Sequence, residues 1–314
     1  MIDAHLHLVD FCQETEGLDA VLAAMDAAGI ERAVVFGLAV TKEWSEWEKR
    51  EPTYYLSDNC RCYYYSLTDA ILAEQYLALG PKQQQRLAPL LCGFNPVDQH
   101  ASRHVERILD LYPDVFHGIG EILCRHDDLT NQLLGQPPRA NHPALRQIYS
   151  MADARNWPVL IHQDISSVGR HNEPLYLHEI VDPLQEHSGV TFVWAHCGHS
   201  RRINVEGHLD HLTRLMDEFD NLCLDYSWYV YDSLICEEGR PRKEWVEFTE
   251  RFSDRICLGS DIFGRFDELE SRMNRYSPLL EQLSDAARRD ISDATAERLY
   301  FGGDTSTGSH RGTE

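Results

Sequence analysis

The chain is short of positive charge: 29 lysines and arginines face 51 aspartates and glutamates, for a formal net charge of −22 over 314 residues. A surface of that sign repels phosphate backbones and anionic membranes at long range, so neither nucleic acid nor a membrane is expected as a partner. A small anionic substrate stays compatible, because an arginine or two and a metal ion reverse the field locally. Long apolar runs are also missing. None approaches the roughly 20 residues that span a bilayer, and no basic segment at the N-terminus leads into an apolar stretch. A soluble, unexported, cytoplasmic protein is the expectation. Paired cysteine spacing is lacking too. The nine cysteines are odd in number and scattered, and Cys92, Cys197, Cys223 and Cys257 sit inside apolar runs, as buried reduced thiols do. Cys60-Arg-Cys62 is the only close pair, and without a second pair at zinc-site spacing it reads as packing. No internal repeat or low-complexity block is visible.

What is present is regular. With 43% hydrophobic residues the chain can bury a large core, and short apolar runs alternate with amphipathic stretches from one end to the other. That alternation is the signature of a parallel sheet wrapped by helices. Residues 1–8, 32–38, 88–94, 115–122, 158–163, 190–196, 221–226 and 255–261 read as eight strands, which predicts an α/β fold of the (β/α)8 TIM-barrel type. Helices are predicted over 17–29, 142–156, 174–187, 208–219, 242–252 and 279–289, the first stopping at a glycine. A single domain over 1–301 is expected, with long insertions after strands two and four. The first, 39–87, is rich in Trp and Tyr, including Tyr54 and Tyr55, and looks helical over 66–79; it reads equally as a lid or as a homo-oligomer interface. The second covers 124–141. Both would overhang the active-site face of a barrel. Residues 302–314 are small and polar and read as a disordered tail.

Ionisable residues recur where barrel enzymes place their chemistry, at the C-terminal ends of strands. Asp3-Ala-His5-Leu-His7 lies on strand one, where alternate residues share a face and the two imidazoles project together. Glu121 ends strand four, His162 lies on strand five, His196 on strand six, and Asp261 ends strand eight. Each alone has an ordinary explanation: a helix cap, a loop carboxylate, a hydrogen-bonded core histidine. Together, four imidazoles and two carboxylates at one barrel mouth would be costly to bury without a shared cation. Imidazole and carboxylate ligands suit Zn²⁺, and equally Mn²⁺ or Fe²⁺. Such a cation acidifies water and polarises a carbonyl oxygen, with Asp261 placed to orient that water, take its proton and pass it to a leaving group.

These residues resemble the amidohydrolase superfamily, and within it the amidohydrolase-related branch (amidohydrolase family 2) that also holds aminocarboxymuconate-semialdehyde and related decarboxylases. The resemblance rests on the Asp3–His7 run, His162 in Val-Leu-Ile-His-Gln, Trp194-Ala-His196-Cys-Gly, Gly259-Ser-Asp261 and Ala294-Thr-Ala-Glu-Arg-Leu-Tyr300. It implies His5, His7, His162 and Asp261 as metal ligands, Asp261 as proton carrier, and His196 as a second-metal ligand or substrate polariser. Two departures stand out. Thr295 replaces a frequent asparagine. Gly118-Ile-Gly-Glu121 looks like the bridging glutamate of TatD-type binuclear hydrolases, which many members of the decarboxylase branch lack. A second ion is thereby opened, about 3.5 to 4 Å from the first.

Arg125, Arg201 and His199 are candidate substrate contacts, the arginines for a carboxylate and His199 as an acid or donor. Tyr226, Trp228 and Tyr229 follow strand seven and could wall a pocket. The leading expectation is metal-dependent hydrolysis of an amide, ester or lactone-type bond in a small molecule. The alternatives are non-oxidative decarboxylation of an aromatic or unsaturated acid, favoured by one ion and inward arginines, and a catalytically silent binding barrel.

Overall fold

The computed structural model describes residues 1–53, 60–130 and 133–302. Tyr54 and Tyr55, and the expected tail beyond Gly302, lie outside the described residues.

Eight parallel strands form the barrel: β1 (Ile2–His7), β2 (Arg32–Phe36), β3 (Leu87–Leu91), β4 (Gly118–Leu123), β5 (Val159–His162), β6 (Phe192–Trp194), β7 (Leu222–Asp225) and β8, in two pieces, Ile256–Cys257 and Ile262–Phe263. Each pairs with the next, from β1 to β7. The broken β8 closes the ring. Its first piece pairs with β7 (Ile256 opposite Leu224), and its second with β1 (Leu6 opposite Ile262). Between the pieces, Ala4 N donates to Leu258 O at 2.9 Å and Asp261 N to His5 O at 2.8 Å.

The alternation of strand residues divides the core in two. Ile2, Ala4, Val34, Phe36, Ala88, Leu90, Leu160, Val193 and Cys223 form an inner cluster with Ala296 and Tyr300. The opposite faces pack against the outer helices. The last helix, Thr295–Tyr300, closes the N-terminal mouth: Arg32 at the start of β2 bonds Glu297 at 2.6 Å, and His117, just before β4, bonds Tyr300 O at 3.0 Å. The C-terminal mouth is left for chemistry.

Two strands break strict alternation just where it matters. In β1 the register runs from Asp3 opposite Ala33 to Leu6 opposite Val35, one residue more than the partner strand. In β4 it runs from Ile119 opposite Val159 to Ile122 opposite Ile161, again with one extra. Bulges of this kind re-aim the side chains that follow. Ile2 and Ala4 point inward, and beyond the bulge His5 and His7 take over that face; beyond Ile119 the inward residue is Glu121. Gly120 makes the second bulge possible. It has φ +135°, and a Cβ there would lie 2.5 Å from Leu160 O. Gly120→Ala is therefore expected to cost about 1–3 kcal/mol or more of stability, read as a lowered urea midpoint; an unchanged midpoint would contradict this account of the bulge.

The first insertion contains an antiparallel pair, Val40–Lys42 with Cys62–Tyr64, and a helix Thr68–Ala78 within the predicted 66–79. The predicted helix 279–289 is instead two short helices, Ser277–Leu280 and Asp285–Arg289. Ser284 interrupts it by capping the second, its hydroxyl accepting from Ala287 N. Two strand ends also differ from expectation. β6 stops at Trp194, and His196 follows in a turn with φ +53°; Asp261 sits in the break of β8 with φ +50°.

Candidate metal centre

At the C-terminal mouth, His5 Nε2, His7 Nε2 and Asp261 Oδ1 form a triangle with sides of 3.3, 3.3 and 3.4 Å. Glu121 Oε2 lies over it, 3.9 Å from His5 and 3.5 Å from His7. Four ligands at about 2.0–2.1 Å from a tetrahedral zinc ion stand about 3.3–3.4 Å apart, so the three edges of the triangle fit a cation of that size, with Glu121 slightly farther out. The other oxygen of Glu121 faces elsewhere: Oε1 lies 3.2 Å from His162 Nδ1 and 3.5 Å from His196 Nε2. One carboxylate thus stands between two sets of donors, His5–His7–Asp261 and His162–His196.

A metal ligand needs its imidazole fixed in orientation and tautomer, usually through the ring's other nitrogen. All four rings meet this condition. His5 Nδ1 bonds Asp225 Oδ2 at 2.5 Å, and His7 Nδ1 bonds Gly37 O at 2.8 Å. His196 Nδ1 bonds the Ser227 hydroxyl at 2.7 Å, and His162 Nε2 bonds Asp164 Oδ1 at 3.1 Å. A carbonyl only accepts, so His7 must carry its proton on Nδ1 and present a bare Nε2. Three rings aim Nε2 at the centre, and His162 aims Nδ1. The chemistry of this donor set fits a divalent cation.

The electrostatics agree with the crowding. Burial opposes charge on His5, but Asp225, Asp261 and Glu121 outweigh it and hold its pKa well above the usual imidazole value. Burial likewise opposes charge on His162, while Asp164 and Glu121 raise it to about 10. Burial favours a neutral Glu121, yet hydrogen bonds from His162, His196 and His7 bring it well below the ordinary carboxylate range. Asp261 is shifted downward against burial by His5 and His7. Its carboxylate, 11% exposed, is the most accessible of the acids at the centre, against 3% for Glu121 and 1% for Asp225.

Asp3 opens the histidine run but stands apart from the donor clusters. Its Oδ1 accepts from His5 N at 3.1 Å and Ser260 N at 2.9 Å, tying β1 to the turn that bears Asp261. Burial pushes this carboxyl up to about 6, against the Ser260 and His5 hydrogen bonds.

The expected substrate contacts are distributed unevenly. Arg125 is taken up by Glu179, with Nε and Nη2 bonding the two carboxylate oxygens at 2.6 and 2.8 Å, and it stacks 3.7 Å over Tyr176. Arg201 pairs with Asp128 and lies 5.7 Å from the Trp228 ring, which is itself 5.1 Å from His196. One aromatic ring separates it from the centre. His199 is buried, and desolvation with the neighbouring His208 and His196 lowers its pKa to about 3, so it stays neutral. Tyr226 is fully buried, its hydroxyl 3.0 Å from Thr249 Oγ1, and it belongs to the core.

Sequence reasoning missed Asp225, Asp164 and Ser227. Asp225 carried the same signal as the others, since alternation in Leu-Cys-Leu-Asp places it inward with Cys223 at the end of β7.

A family profile described as Amidohydrolase matches residues 2–302. The chain belongs to the amidohydrolase family. Membership makes it an enzyme of the metal-dependent hydrolase type. Solved structures share the fold at low identity. An uncharacterised TIM-barrel protein from Bordetella bronchiseptica is 14% identical with a TM-score of 0.60, covering 95% of this chain and 98% of its own. A probable 2-pyrone-4,6-dicarboxylic acid hydrolase from Acinetobacter baumannii, solved with citric acid bound, is 12% identical with a TM-score of 0.59, covering 96% and 98%. An amidohydrolase from Burkholderia multivorans with bound zinc is 16% identical with a TM-score of 0.55, covering 96% and 98%. Among curated proteins, none matches this chain by sequence. No helix among the described residues is long and apolar enough to cross a membrane.

Proposed function

We propose that this amidohydrolase hydrolyses an amide, ester or lactone-type bond in a small molecule at a centre of two divalent cations, zinc being the best fit. The observation that carries the reading is Glu121, whose two oxygens face two separate sets of imidazole nitrogens. His5, His7 and Asp261 would hold one cation and His162 and His196 the other, with Glu121 offering an oxygen to each. When bound, the cations supply an acidified water and a Lewis acid for a carbonyl oxygen. The chain does the rest. Asp225, Gly37 O, Asp164 and Ser227 keep the four imidazoles aimed, and Asp261, the most exposed carboxylate there, takes the proton from water and delivers it to the leaving group.

Hydrolysis is favoured over decarboxylation by the arginines. A decarboxylase needs a fixed cation for the departing carboxylate, whereas Arg125 is neutralised by Glu179 and Arg201 by Asp128. The test is to strip the protein with chelator, restore it with zinc, and assay panels of lactones, esters and amides beside aromatic and unsaturated carboxylic acids. Zinc-dependent hydrolysis is the expected result. Zinc-dependent release of CO₂ without hydrolysis of any panel member would overturn the reading.

The orienting role of Asp225 gives a separate expectation. Asp225→Ala frees His5 Nδ1 from its 2.5 Å partner and should weaken zinc affinity about 10–100-fold in chelator competition. Unaltered affinity would remove Asp225 from the site.

A further inference from the structure

His126 stands beside the centre without belonging to either donor set, and its hydrogen bonds determine which nitrogen carries its proton. The side chain is 7% exposed. It stacks on His162 with centroids 4.4 Å apart and planes at 23°, and lies 5.9 Å from Trp228. Its Nδ1 is approached by two backbone amides, Asp128 N at 3.1 Å and Leu129 N at 3.2 Å. Backbone N–H groups only donate, so Nδ1 must be the bare, accepting nitrogen, and a neutral ring then carries its hydrogen on Nε2. Asp127 Oδ1, at 3.6 Å from Nδ1, is beyond hydrogen-bond distance. No described residue bonds Nε2, whereas both backbone donors meet the ring at Nδ1. The short loop 126–130 holds this arrangement: His126 N donates to Thr130 Oγ1 at 2.8 Å, and the Thr130 hydroxyl returns to His126 O at 3.2 Å.

We propose that His126 is a substrate-contacting residue whose fixed Nε2–H donates to a carbonyl or carboxylate oxygen of the bound molecule beside the His162–His196 donor set. The proposal deepens the hydrolase reading and rests on it for the identity of the reacting oxygen. Three features support it. The donor is prepaid in orientation, because two amides and a stacked ring fix the imidazole before any ligand arrives. The two amides occupy Nδ1, which leaves Nε2 as the ring nitrogen that donates. And no described residue accepts from Nε2, so its hydrogen is left for a ligand.

Two measurements test it. In ¹⁵N-histidine-labelled protein, the ring of His126, assigned by its disappearance in His126→Asn, should show the Nε2–H tautomer at neutral pH. A Nδ1–H tautomer or an imidazolium would overturn the proposal. In the zinc-loaded protein, acetate serves as the probe for an oxygen ligand. Asn retains a carbonyl oxygen where Nδ1 accepts and lacks the distal donor, so His126→Asn should keep the parent's zinc content and bind acetate about tenfold or more weakly. Equal acetate affinity would overturn the proposal, and so would loss of zinc, which would make the ring a support for the centre. Neither measurement needs turnover, so a failure of the hydrolase assignment would show separately, in the substrate panels.

Discussion

Glu121→Ala is expected to reduce bound zinc from two ions per chain to one or none. The two oxygens of this carboxylate lie within 3.9 Å of both donor sets, so its removal takes an anionic ligand from the His162–His196 pair and the fourth corner from the His5–His7–Asp261 set. The His162–His196 side should empty first, since two neutral imidazoles bind a dication weakly beside two imidazoles and a carboxylate. The fold should survive. Glu121 lies inside the mouth and belongs to neither apolar cluster of the core. Metal analysis of dialysed protein checks the stoichiometry, and near-UV circular dichroism checks the packing. Two ions retained in a folded Glu121→Ala would remove the bridge.

The second large effect is at Asp261. Asp261→Asn keeps an oxygen 3.3–3.4 Å from His5 and His7 Nε2 but can no longer accept a proton at the pH of the reaction. General acid–base groups contribute about 10²–10⁴ in rate, so kcat should fall by that factor while zinc on the bridged pair stays measurable. An alanine there would confound ligand loss with proton transfer, which is why the amide is the informative change. A turnover number within severalfold of the parent would assign the proton to another group.

How much of this was legible beforehand follows the range of each interaction. The barrel came from local pattern: eight apolar runs, each about a strand long, separated by amphipathic stretches, with β8 alone hidden in two pieces because it must pair at both ends of the sheet. His5, His7, His162 and Glu121 stood out as polar residues interrupting those runs, and the structure gathers them with His196 and Asp261 at one mouth. The bulges did not show. Strict alternation puts Asp3 with the histidines, whereas the extra residue in β1 leaves it outside the cluster, holding His5 N and Ser260 N. Asp225 was readable by the same rule as the others and was passed over. The fate of Arg125 was not readable at all, because its partner Glu179 arrives from a helix 54 residues further along, and a charge pair at that separation leaves no mark on either segment. His126 is similar, since its role depends on ring geometry that spacing cannot express.

The most direct test of the bridged centre is anomalous diffraction from crystals of the zinc-loaded protein. Two peaks are expected about 3.5–4 Å apart with the Glu121 carboxylate between them, one against His5 and His7 and the other against His162 and His196. A single peak at full occupancy, with Glu121 turned away from it, would rule out the bridged centre.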